Sequence, residues 1–235
     1  MTFKKFLVNI DHSKATTNRV KSAIELAVRY QATLSGIFVM PEYAIPSYVN
    51  AQISRQAITQ AREALTQSID LTNESGLEIF SVVVEGNPVK ILCEYPALTD
   101  LLIVGQYNDE DSIDSSEGMI DQIVIESGAS SMVLPSKGAI KLPGKDILVT
   151  WNGSKESARA IRQSLPLVEQ AKRGRALTSY SMESRKKGNA NSKPNVVQYL
   201  REHVVQATVR SSADRQSNIG DLILAEAADI NADLI

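Results

Sequence analysis

Two apolar periodicities alternate along this chain. Phe6 to Ile10 is a mainly apolar run closed by Asp11, which reads as a strand. After the polar turn Asp11-His12-Ser13, residues Val20, Ala23, Ile24, Ala27 and Val28 recur at i, i+3, i+4, i+7 and i+8. That spacing predicts a helix with one buried stripe. Leu34 to Met40 is a second strand, stopped by Pro41. A loop with Pro41 and Pro46 leads to a long helix whose core face is marked by Ala57, Ile58, Ala61, Leu65 and Ile69, and which ends over Asn73 to Gly76. Ile79 to Val84 is rich in β-branched residues and reads as a third strand. Asn87-Pro88 then supplies an N-cap and a first-position proline for a short helix that ends near Pro96. Leu101 to Val104 is apolar at four consecutive positions, as expected of a strand buried on both faces. A polar loop follows, then a helix from about Gly118 with Ile120, Ile123, Val124 and Ser127 on one side, and a last short strand, Met132 to Leu134, ending at Pro135. Strand and helix alternate throughout, which predicts a parallel sheet with right-handed crossovers.

The pattern then starts again. Residues 136–144, with two glycines and a proline, read as a linker. Beyond it Lys4, Leu7, Val8, Ser13 and Lys14 recur at an offset of 141 as Lys145, Leu148, Val149, Ser154 and Lys155, while Asp11 becomes Asn152 and His12 becomes Gly153. The next helix repeats its core positions as Ala158, Ile161, Leu165 and Val168, with Pro166 expected to bend or shorten it. Ala176 to Ser181 and Thr208 to Arg210 read as strands, Val196 to His203 and Gly220 to Asp229 as helices, and residues 183–194 as a polar surface loop. Ala232-Asp233-Leu234-Ile235 echoes Asp100-Leu101-Leu102 at an offset of 133. An internal duplication accounts for all of this. The expected organisation is one domain over 1–138, the linker 136–144, and a second domain over 145–235 that is C-terminally incomplete.

Composition narrows the class of function. The chain of 235 residues is 43% hydrophobic and 22% charged, with a net charge of −2, so no global charge draws it to nucleic acid or an anionic membrane. Twelve of its 25 Lys and Arg residues fall between Lys137 and Lys187, just after a stretch with none from 91 to 136, and a solvated basic face is the expected reading. Cys93 is the only cysteine, so no internal disulfide forms, which fits a reducing compartment. The N-terminal apolar run is too short for a signal peptide and no stretch approaches a membrane span, so the expectation is a cytoplasmic protein. His12 and His203 are too few for a His-rich metal site. Asp11, His12 and Ser13 are consecutive, and their side chains diverge where a triad would need them to converge. No nucleophile–base pair and no phosphate-binding Gly-x-x-x-x-Gly-Lys is present, so no enzyme is expected.

The candidate chemistry lies between Asp100 and Pro135, because in a doubly wound sheet the loops at the carboxyl ends of the strands bind ligands. Asp100-Leu-Leu-Ile-Val-Gly105, a loop, Gly118 opening a helix and a final short strand resemble the end of a universal stress protein domain. Nucleotide-binding members of that family carry Gly-x-x-Gly, nine residues, then Gly followed by Ser or Thr. Gly105 and Gly118 keep the spacing, but Asn108 replaces the second glycine and Met119 the hydroxyl residue. Asp109, Glu110, Asp111, Asp114 and Glu117 lie between the two glycines without a basic residue. A carboxylate about 5 Å from a phosphate charge costs roughly 1–3 kcal/mol, which opposes the attraction of a helix N-terminus for phosphate. The resemblance covers essentially the whole chain. It implies two tandem doubly wound parallel-sheet α/β domains, Rossmann-like and similar to adenine-nucleotide α-hydrolases, the second incomplete. It also implies a non-catalytic ligand-binding or regulatory module of the stress response. Asp11 falls where the family's aspartate commonly reaches adenine; the other reading is a carboxylate at the first turn of a helix. Asn152-Gly153-Ser154 offers a tight turn with open backbone approach at the head of a helix. The candidate ligand-binding residues are therefore Asp11, Gly105, Gly118, Asn152 and Gly153. With the first-domain site degenerate no cofactor is expected. The alternative is an ATP-binding switch, with adenine at Asp11 or Asn152 and phosphate between Gly105 and Gly118. The family's domains also pair through their last strands, which makes a homodimer through residues 131–135 the expected partner arrangement.

Overall fold

A computed structural model describes residues 2–40, 59, 62–71, 76–107, 118–137, 144–178, 196–203, 207–211 and 218–235. The chain divides into two compact units, residues 2–140 and 141–235. Strands β1 (Lys5–Ile10), β2 (Thr33–Met40), β3 (Ile79–Glu85), β4 (Leu101–Gly105) and β5 (Ser131–Leu134) form the sheet of the first unit, in the order β3-β2-β1-β4-β5 and parallel throughout. Successive side chains of a strand point to opposite faces, and both faces are covered. On one, α1 (Thr16–Tyr30) packs over β1, β2 and β4, with Phe3, Phe6 and Tyr30 in edge contacts at centroid distances of 5.2–6.2 Å. Residues 62–71, which we call α2, are also helical. On the other face, Leu7, Ile37, Leu102 and Val104 pack against Leu92 of α3 (Pro88–Glu94) and against Met119, Ile120 and Ile123 of α4 (Met119–Glu126). This is a parallel five-stranded α/β sheet flanked by helices, and it explains why β1 and β4 read as nearly continuous apolar runs.

Local signals account for most boundaries. Asn87 caps α3 by accepting from the Lys90 N–H at 3.1 Å, with Pro88 in the first turn, as the sequence predicts. A 3₁₀ turn, Tyr95–Leu98, carries the chain from α3 toward β4. Gly118 precedes α4 with φ of +80°, a conformation that favours glycine. Single stripe residues depart: on α2 Ile69, expected on the core face, is 39% exposed, and α1 turns one of its five outward. Val28 is 53% exposed, while Val20, Ala23, Ile24 and Ala27 are buried as expected and the buried face extends beyond them through Thr16, Arg19, Leu26 and Tyr30. Bulky Tyr30 and Leu26 sit on the sheet, which turns Val28 outward and brings a charged residue, Arg19, inward. Val124 is likewise 40% exposed, since α4 buries only the narrow stripe of Met119, Ile120 and Ile123.

In the second unit β6 (Asp146–Trp151), β7 (Arg173–Thr178) and β8 (Ala207–Ser211) form a parallel sheet in the order β6-β7-β8. Strand β7 begins three residues before the expected Ala176. Pro166 divides the following helix as expected, into α5 (Lys155–Gln163) and α6 (Leu165–Val168). With α7 (Val196–His203), these cover the face carrying Ile147, Val149 and Trp151. Helix α8 (Ile219–Asp229) covers the face of Leu148 and Leu177. Arg175 of β7 reaches the buried Glu226 at 2.8 Å and Asp229 at 3.0 Å, tying α8 to the sheet.

The two units share a detail that composition alone would not produce. The Asp100 carboxylate accepts from the backbone N–H groups of Lys4 (2.7 Å) and Lys5 (2.9 Å), and the Asp100 N–H donates to the Lys5 carbonyl (2.9 Å). The Asp233 carboxylate accepts from the N–H groups of Gly144 (2.9 Å) and Lys145 (3.0 Å), and the Asp233 N–H donates to the Asp146 carbonyl (2.9 Å). Leu234 then bridges Ile147 in parallel, on the side of β6 away from β7. Each aspartate fastens the start of the first strand of its unit to the segment that will lie beside it.

Candidate functional site

The order in which strands are added to the first sheet reverses between β1 and β4, and that switch point is where ligands enter a doubly wound sheet. The register shows how the crevice opens. β1 pairs with β2 as far as Ile10, and β4 pairs with β5 as far as Gly105, but β1 and β4 pair only from Phe6–Leu101 to Val8–Ile103. Past Val8 the two strands part. A cleft lies there, bordered by Asn9, Asp11 and Ser13 from the β1 side, Gly105 and Tyr107 from the β4 side, and Met119 of α4. Between the described residues its enclosed space is about 20 Å³.

The side chain that fills the gap is Arg19, 2% exposed. Its Nε donates to the Asn9 carbonyl at 2.8 Å, so the guanidinium takes a β1 oxygen beyond the end of the β1–β4 pairing. Nη2 donates to Thr16 Oγ1 at 2.8 Å and pairs with Asp11 Oδ2 at 2.6 Å. Nη1 lies against Gly105, where any Cβ would overlap it and would come within 3.1 Å of Cζ. Asp11 is equally committed. Its Oδ1 accepts from the Ser13 N–H (2.9 Å), from Ser13 Oγ (2.5 Å) and from Thr16 Oγ1. Burial alone would raise the Asp11 carboxyl, but the Arg19 guanidinium and the donors on Ser13 and Thr16 outweigh it and hold it below the usual carboxylate range.

These contacts redistribute the expected roles. Asp11 is not the helix cap: α1 begins at Thr16 with Ala15 in the cap position and no side-chain cap bond. The Asp11 carboxylate instead closes the turn to Ser13 and neutralises Arg19. Gly105 is required here by the neighbouring guanidinium, whose Nη1 occupies the space a side chain would need. Gly118 stands outside the cleft with open space around it, and its glycine is accounted for by its positive φ. Met119, where the resemblance would have a hydroxyl, is 7% exposed and belongs to the core. Asn108 and the carboxylates of 109–117 lie outside the described residues. In the second unit Asn152 Oδ1 accepts from the Ser154 N–H at 2.9 Å, the same turn that Asp11 makes with Ser13. Gly153 occupies its positive φ of +81°, and Ser154 caps α5 by accepting from the Ser157 N–H.

Sequence reasoning missed Arg19, Thr16 and Asn9. A signal was present: Arg19 stands on the stripe 19, 23, 26/27, 30, and a cation on a buried helix face needs a partner within reach. Cys93, on α3, is half-buried beside the core, and burial, with Glu126 and Glu94 adding to it, raises its thiol, so it is a packing residue. Among the described residues no three His, Cys, Asp or Glu side chains converge on a metal-sized site. No described helix is long and apolar enough to cross a membrane.

The universal stress protein family is matched over residues 2–106. Residues 2–106 are a universal stress protein domain. A universal stress protein from Archaeoglobus fulgidus DSM 4304 is similar over 98% of this chain and 84% of its own length, with a TM-score of 0.74 and 14% identity, a likeness of fold alone. The universal stress protein UspA from Lactobacillus plantarum aligns with 57% of this chain and 99% of its own, with a TM-score of 0.49 and 18% identity. A universal stress protein from Archaeoglobus fulgidus solved with dAMP aligns with 57% of this chain and 98% of its own, with a TM-score of 0.43 and 12% identity. No curated protein matches the chain.

The charge of Asp11 sets a pH dependence for the universal stress protein domain. A carboxyl whose folded pKa is depressed contributes stability above its unfolded pKa, about 4, and loses it as pH falls through the folded value. Asp11→Asn should therefore cost about 3 kcal/mol near pH 7, because it leaves the buried Arg19 without its counter-ion. The gap to the unaltered chain should close as the pH is taken below about 4. Urea denaturation of the two proteins across that range measures it. A gap that stays constant with pH contradicts an ionised Asp11 as the partner of Arg19.

Proposed function

We propose that the chain is a tandem universal stress protein acting as a non-catalytic binding or regulatory module, and that its first cleft does not take nucleotide. The observation that carries this reading is the commitment of Asp11. Both of its oxygens are already engaged by Arg19, Ser13 and Thr16. Reversing that arrangement to admit a nucleotide would strand a buried guanidinium, at a cost of several kcal/mol. The tandem part of the proposal is supported by the matching Asp100 and Asp233 contacts and by the shared turns at Asp11 and Asn152. Asn152 and Gly153, exposed at the head of α5, are then the better place for a ligand's base. The competing reading is an ATP-dependent switch that uses the first cleft. Hydrogen exchange on the full chain with ATP at about 1 mM, far above the concentration a low-micromolar site would need, separates the two. We expect no added protection at residues 9–20 and 105–107. Protection of both segments would establish the switch and end this reading.

For assembly we propose a homodimer through residues 131–135. Among the described residues β5 is hydrogen-bonded only to β4, and it is the edge of its sheet. Val133, 42% exposed, stands on that edge, which carries no lysine or inward charge to discourage pairing. Two such edges are self-complementary about a two-fold axis. Val133→Lys should convert a dimer to a monomer in sedimentation velocity. A native chain that already sediments as a monomer, or a variant that stays dimeric, excludes this interface.

A further inference from the structure

The first cleft is built of acceptors. The Asn9 carbonyl, the Asp11 carboxylate and Thr16 Oγ1 converge on one planar cation, and the chain supplies that cation itself through Arg19. Two features show that the fit is shared by several elements. The β1–β4 register stops at Val8–Ile103, leaving the Asn9 oxygen to the guanidinium, and position 105 has no side chain where Nη1 rests. The second unit provides an internal comparison. At the offset of 141, Asn152, Ser157 and Ala160 stand where Asp11, Thr16 and Arg19 stand in the first. The turn there forms with the same 2.9 Å bond, and Ala160 is exposed. Arginine is therefore not needed to make the turn. It is an addition that only the first cleft carries.

We propose that Arg19 is an internal ligand: it occupies the acceptor cradle of Asn9, Asp11 and Thr16 and so excludes a nucleoside from the first unit, independently of the acidic stretch that follows Gly105. The inference rests on the reading that this cleft takes no nucleotide, and it names the group responsible. A tethered guanidinium is always present at high effective concentration, and its planar fork matches a carboxylate better than a point charge does. An outside ligand must displace it and leave it buried without a partner. With the side chain removed, the cradle is specific for planar donor-bearing groups, either a free guanidinium ion or the donor edge of a nucleobase.

Adenosine is the probe of choice, because it carries no phosphate and so does not respond to the acidic loop. Binding is read as hydrogen-exchange protection of residues 9–20 in the full chain, so that a site elsewhere does not count. The unaltered chain should show none at about 1 mM adenosine. Arg19→Ala should show it, with affinity at least about tenfold tighter. Methylguanidinium at about 10 mM should abolish any further protection by added adenosine and raise the melting temperature of Arg19→Ala by about 3 °C, while methylammonium should do neither. A folded Arg19→Ala that gains no protection overturns the role of Arg19 and leaves the nucleotide-free reading standing. Equal protection in the unaltered chain overturns that reading itself. Should Arg19→Ala not fold alone, methylguanidinium, and not methylammonium, should restore its circular dichroism, and failure to do so overturns the proposal.

Discussion

The ion pair between Asp11 and Arg19 is the constraint on which the carboxyl edge of the first sheet depends. Two parallel strands that separate leave backbone oxygens facing a crevice, and a buried oxygen without a donor is costly. Here a side chain supplies the donor: Arg19 Nε takes the Asn9 carbonyl where β4 no longer reaches it. A buried guanidinium in turn needs a counter-charge, which Asp11 supplies, and Asp11 needs its remaining oxygen satisfied, which Ser13 and Thr16 do. Gly105 completes the set by leaving room. Six residues from two strands, a turn and a helix thus form one network at the point where the fold ordinarily leaves an opening. Removing either Arg19 or Asp11 leaves the other, a buried group, without its partner, which is why the pair is expected to behave as a unit.

The opposite edge of each sheet obeys a simpler rule. A single aspartate, Asp100 in the first unit and Asp233 in the second, gathers the first backbone N–H groups of the opening strand. It also fixes the register of the segment arriving alongside. That role requires no burial and no ligand, only a carboxylate at the right place in the chain. The tie is present in both units, while Asp11 and Arg19 of the first stand where Asn152 and Ala160 stand in the second.

How legible was this in the residues? The strands and most helices were, because buried parallel strands are apolar at successive positions and because Asn87-Pro88 and Pro166 mark boundaries by local backbone physics. The second unit's opening strand and turn were readable from Lys145, Leu148, Val149 and Ser154. The site was not. Asp11 and Gly105 looked like parts of a ligand site because chemistry and position permit it, but their immediate neighbours in space come from α1, whose buried face extends past the apolar stripe to Thr16 and Arg19. A stripe drawn through Tyr30 would have put Arg19 inside the protein and asked what neutralised it. Apolar periodicity counts apolar residues only, so a buried cation on the same face is invisible to it.

The central claim is that Arg19 is held in the first cleft as a permanent occupant, and the Nε–H of that one side chain reports on it directly. In a ¹⁵N–¹H spectrum of the full chain, assigned by its loss in Arg19→Lys, the Arg19 Nε–H should be a slowly exchanging resonance, because it is buried and bonded to the Asn9 carbonyl. It should neither shift nor speed its exchange when ATP is added. An Nε–H that exchanges with solvent as fast as those of exposed arginines, or one that moves on addition of ATP, would contradict the account.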